Sequence, residues 1–127
     1  MAKRKNIYSS DNGSVTSMKA VDGKLYFTTY EFHGGFKANV YLHDHYLYKY
    51  DMRTNTTKCV YKNIADNNRI NSGMNIVSGD SDDIYLHFDE IYEDNTGSNT
   101  LYKYENGKVK EIYKIDDSID TENSSGV

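Results

Sequence analysis

Two stretches of this chain carry nearly the same text. Leu47-Tyr48-Lys49-Tyr50 returns as Leu101-Tyr102-Lys103-Tyr104. Upstream, Lys24-Leu25-Tyr26-Phe27 is echoed by Asp83-Ile84-Tyr85-Leu86, and downstream Val60-Tyr61-Lys62 by Ile112-Tyr113-Lys114. The offsets are 59, 54 and 52 residues, so the segments keep their order while the loops between them change length. A period in this range belongs to stacked supersecondary units, each with apolar faces that need a neighbour. Such a pattern constrains architecture closely and chemistry hardly at all.

The units read as strands. Apolar residues alternate with polar ones or run in short blocks bounded by Asp, Asn, Gly and Ser, and helical periodicity is weak throughout. Strands are predicted at Val15–Val21, Leu25–Phe32, Val40–Tyr50 and Lys58–Lys62, then at Asn75–Ser78, Ile84–Tyr92, Thr100–Tyr104 and Val109–Lys114. Asp22-Gly23 and Asn106-Gly107 read as two-residue hairpin turns, because both residue types tolerate positive φ. Asp51 is placed to bond backbone amides two residues on. Asn6-Ile7-Tyr8-Ser9 resembles the fourth-strand segments Cys59–Lys62 and Glu111–Lys114, so a last strand of a preceding unit is expected at the start. The division that follows is 1–12 for that strand, 13–64 and 74–115 for the two units, 65–73 for a polar linker and 116–127 for a polar tail.

Four antiparallel strands repeated about every 55 residues suit the blades of a β-propeller. The expected fold is therefore all-β, with two consecutive four-stranded propeller-type blades. Thirteen tyrosines and no tryptophan or proline fit that geometry. Blade sheets are covered on both faces, and Tyr packs its ring while its hydroxyl reaches a wet seam.

The residues also carry a resemblance. Leu25-Tyr26-Phe27-Thr28-Thr29 resembles the Tyr-Trp-Thr-Asp blade signature of lipoprotein-receptor propellers, with Phe27 in place of Trp and Thr29 in place of Asp. Leu47-Tyr48-Lys49-Tyr50-Asp51 is similar to the third-strand segment of the related Tyr-rich bacterial propeller repeats. Kelch repeats are the second comparison, through Gly34-Gly35, Tyr50-Asp51 and Thr54-Asn55, although the kelch Trp is missing. The likeness spans roughly residues 14–114 and implies a binding scaffold rather than an enzyme. Closed propellers have about four to eight blades. Two blades therefore imply self-association or the remainder of a longer propeller, since open blades leave apolar faces wet.

Composition narrows the partners. A net charge of −4 argues against nucleic acid and anionic membranes, which want a basic face. No stretch approaches the ~20 apolar residues of a membrane-spanning helix. Cys59 is alone, so no intrachain disulfide forms. The basic start Lys3-Arg4-Lys5 is not followed by an apolar run, which fits a cytoplasmic chain if the sequence is complete. A piece cut from an exported protein fits as well.

Catalytic signatures are missing. No Gly-x-Ser-x-Gly elbow or phosphate loop occurs, and Cys59 sits in a predicted strand where thiols are inert. No cofactor is expected. His43 and His45 lie two apart on a strand and share a face, so both imidazoles can meet one metal, with Glu31 or His33 as third ligand. Asp80, Asp82 and Asp83 form an acidic loop whose spacing suits a turn better than calcium. The binding candidates are Phe32, His33, Phe36 and Tyr41, where aromatic rings lie beside Gly34-Gly35 outside the repeated strands. The expected function is a non-catalytic binding module with a protein or carbohydrate partner. The alternative is a fragment of a larger exported propeller hydrolase or lyase.

Overall fold

Among the described residues eight strands make two sheets, and within each sheet every strand pairs antiparallel with the next in sequence. The structure, a computed structural model, describes residues 6–10, 13–32, 42–65 and 68–118. The first sheet is β1 (Gly13–Val21), β2 (Lys24–Phe32), β3 (His43–Asp51) and β4 (Thr56–Asn63), in that order. The second repeats the order with β5 (Arg69–Ile76), β6 (Ile84–Tyr92), β7 (Thr96–Glu105) and β8 (Lys108–Ser118). The described residues contain no helix, and neither sheet closes on itself.

Turn chemistry sets the hairpins. Asp22-Gly23 and Asn106-Gly107 each place two successive residues at positive φ, between 47° and 79°. That is the twist-matching geometry of a two-residue hairpin, and glycine supplies its second position without a Cβ clash. Asp51 Oδ1 accepts the amide of Arg53 at 2.9 Å, as its position in the turn predicts. Register is regular except for four bulges, at Thr16 in β1, Val60 in β4, Ile70 in β5 and Ile112 in β8.

Alternation sends one face of each sheet toward the other. Tyr26 and Leu47 of the first sheet meet Met74, Ile76, Ile84, Leu86 and Phe88 of the second. Each such side chain contributes about 1.5–3 kcal/mol on full burial, so this seam dominates stability. Tyr26 packs on Tyr104 at 5.7 Å and Tyr61 on Tyr102 at 5.9 Å. Hydroxyls of β1 serve the backbone of β5 across the seam. Thr16 Oγ1 donates to Met74 O at 3.1 Å, and the Ile76 amide donates to Ser17 Oγ at 2.8 Å. These contacts satisfy groups that an apolar partner would orphan.

Several strands differ from their expected limits. β5 begins at Arg69 rather than Asn75, because the polar run before Met74 is paired along β6 instead of hanging free. β7 begins at Thr96 rather than Thr100, with Gly97 and Ser98 buried opposite Ile91 and Glu90. β8 runs on to Ser118. The N-terminal strand expectation is corrected: Asn6–Ser10 adopts no strand. Its Tyr8 ring instead packs on Phe27 at 5.8 Å and Tyr48 at 5.4 Å, covering the far face of the first sheet. Side-chain packing holds this segment where a hydrogen-bonded ladder was expected.

Candidate functional site

One end of the seam is polar, and a buried arginine organises it. Arg69 opens β5 and is 4% exposed. Its guanidinium donates to Asn63 Oδ1 at 2.6 Å and to the His43 carbonyl at 2.7 Å, tying β5 to β4 and β3. It faces Glu90 Oε2 of β6 at 3.5 Å and lies 5.2 Å from the Phe88 ring centroid. Glu90 also accepts the Ser98 hydroxyl at 3.3 Å. These contacts offset the cost of burying the cation.

His43 and His45 project from β3 on the same face, with ring centroids 6.3 Å apart. His45 is buried; its Nε2 bonds Ser72 Oγ at 2.7 Å and its ring stands edge-on to Phe88 at 5.6 Å. Its Nδ1 is buried with no partner among the described residues. Burial, then the Arg69 charge and then His43, lower the His45 pKa to about 4. Burial and Arg69 lower His43 as well. Among the described residues no three His, Cys, Asp or Glu side chains converge to hold a metal ion. The charge that acts most strongly on the two imidazoles is the Arg69 cation.

A pH dependence follows from His45. Its folded pKa of about 4 lies below the ordinary 6.5, so protons favour the unfolded chain. The stability it supports is present above pH 6.5 and is lost as pH falls toward 4. Between pH 7.5 and 4.5 the loss is roughly 2–3 kcal/mol, at ~1.36 kcal/mol for each pKa unit. Urea unfolding at the two pH values measures it. The His45→Gln variant is expected to flatten the drop by that amount, and an undiminished drop would assign it to other groups.

Beyond the buried arginine the end of the first sheet turns aromatic. Tyr30 and His43 stand 4.8 Å apart, and Phe32 lies 5.1 Å from His43 and 6.4 Å from Tyr30. Phe32 is 58% exposed. Of the binding residues expected from sequence, Phe32 sits in this patch, while His33, Phe36 and Tyr41 lie outside the described residues. Sequence reasoning missed Tyr30, Arg69 and Glu90. The one available signal was Glu90 standing where the first unit has Glu31, each six residues past the Leu25/Ile84 position.

Other candidates resolve into local roles. In the acidic loop Ser81 Oγ donates to Asp83 Oδ2, and Lys19 Nζ donates to the carbonyls of Ser81 at 2.6 Å and Asp83 at 3.1 Å. Lysines therefore supply the positive charge there. Cys59 is half-buried opposite Tyr48, and burial pushes its thiol pKa up, away from the thiolate a nucleophile needs.

Compared with models of protein families, with curated proteins and with solved structures, the chain finds no match.

Proposed function

We propose that this chain is a non-catalytic binding module built of propeller-type units, which uses the aromatic end of the seam to engage a protein or carbohydrate partner. The observation that carries the reading is Phe32, 58% exposed yet held against Tyr30 and His43 at the rim of the sheet. An exposed ring that joins a contiguous aromatic cluster is a candidate contact surface. The ground beneath them is stiff, because Arg69 ties β3, β4 and β5 together through Asn63 and the His43 carbonyl. Rigid aromatic groups lose little conformational freedom on binding, and their faces suit both sugar rings and apolar peptide side chains. The propeller-type reading is supported by the shared strand order and by last-strand bulges at Val60 and Ile112, which the sequence echo aligns.

Amide and aromatic NMR shifts recorded against panels of oligosaccharides and peptides test the proposal. Shifts centred on Tyr30, Phe32 and His43 are expected for one ligand class, with binding weakened about tenfold in Phe32→Ser. Absence of shifts at millimolar concentrations of every panel member would refute it.

A further inference from the structure

The two sheets meet front to back rather than face to like face. The sequence echo pairs Tyr26 with Tyr85, Leu47 with Leu101, Val60 with Ile112 and Tyr61 with Tyr113. The first member of each pair packs into the seam. The second members lie on the far face of the second sheet, where Ile112 is 51% and Tyr113 63% exposed. The reverse also holds. Met74, Ile76, Leu86 and Tyr102, which pack into the seam, correspond to Val15, Met18, Phe27 and Tyr48 on the far face of the first sheet. One chain thus carries an open copy of each half of its own interface. A contact of this head-to-tail kind leaves an unused half at each end and can repeat, into a ring where the rotation closes and a filament where it does not.

The far face of the first sheet is partly occupied. Tyr8 rests on Tyr48 at 5.4 Å, as Tyr61 rests on Tyr102 at 5.9 Å. Ile7-Tyr8 also matches Val60-Tyr61 and Ile112-Tyr113 in residue type. Ser10 Oγ donates to Glu31 at 2.8 Å and Thr57 Oγ1 to the Ile7 carbonyl at 3.4 Å, and residues 6–10 join no ladder. Beside it Met18 is 63% exposed, and a pocket of about 180 Å³ opens between Ile7, Tyr8, Val15, Met18, Leu25 and Phe27.

We infer that the far face of the second sheet receives the far face of the first sheet of a second copy, and that its Tyr113 takes the place held by that copy's own Tyr8. The inference rests on the stacked-unit reading above and adds the partner, the two faces and the gate. The Tyr8 segment competes intramolecularly for the same ground, so it limits chain growth until it is displaced.

Sedimentation equilibrium tests this on four chains. Tyr8→Ser tightens self-association about tenfold or more over the natural sequence, since its competitor is gone. Met18→Arg disables one face and Tyr113→Arg the other, both at exposed positions, so each alone abolishes growth. Mixed in equal amounts, the two arginine variants form pairs and nothing larger, because each retains the face its partner needs. Arginine variants that still self-associate, a mixture that stays monomeric, or Tyr8→Ser chains that associate no better than the natural one would overturn the inference. A ring-to-ring nuclear Overhauser effect between Tyr61 and Tyr102 separates the two levels. If it persists without association, the docking is refuted and the stacked units stand; if it is missing, both fall.

Discussion

Replacing Phe88 by Ala lowers the free energy of unfolding by about 4 kcal/mol. The ring is 1% exposed and among the largest fully buried side chains in the molecule. It stands between His45 at 5.6 Å and the Arg69 guanidinium at 5.2 Å, so its removal opens a cavity lined by groups that cannot spread into it. Two costs therefore add: the lost transfer of the ring from water, and the unfilled space. A domain of this size holds only about 5–15 kcal/mol in total, so the variant loses a large share. Urea unfolding at pH 7.5 measures the change. Phe88→Leu, which keeps most of the volume, is expected to lose under half as much. Equal losses for Ala and Leu would mean that shape at this position is not what stabilises the seam.

Arg69→Met is expected to cost about 3 kcal/mol, for a different reason. The substitution keeps an apolar stem over Phe88 but strips the partner from Glu90, whose side chain is 14% exposed, and from Asn63 Oδ1 and the His43 carbonyl. A half-buried carboxylate left with the Ser98 hydroxyl and no cation is the largest of these penalties. Adding Glu90→Gln to the same chain should then recover more than half of the loss. A double-mutant cycle reads the coupling directly, and a purely additive cycle would show that the two residues do not act as a pair. The Arg69 charge also helps to hold His45 and His43 below their ordinary values. Its removal lets both rise, so Arg69→Met chains should lose less stability between pH 6.5 and 4 than the natural sequence does.

Much of the strand plan was legible because the chemistry was local. Asp22-Gly23 and Asn106-Gly107 announce their turns, and the alternation through Leu25–Phe32 and Ile84–Tyr92 announces two-faced strands. What escaped was decided at long range. Arg69 sits in a polar run that reads as exposed, and only Glu90, 21 residues on, with the folded positions of Asn63 and His43, explains its burial. The polar Gly97-Ser98 pair is drawn into β7 by the same neighbourhood, through the Glu90 carboxylate. The likeness of Asn6–Ser9 to a fourth strand predicted a ladder and said nothing of the rings Tyr8 rests on, since ring packing and ladder pairing draw on different residues. The aromatic end was half visible: Phe32 stood out by type, whereas Tyr30 and His43 join it only through antiparallel register.

All four bulges fall on outermost strands, one at each rim of each sheet. An unpaired rim invites lateral zipping with other chains, the route to cross-β fibres, and an inserted residue spoils the template by twisting it. The irregularities at Thr16, Val60, Ile70 and Ile112 thus discourage sideways growth of both ribbons.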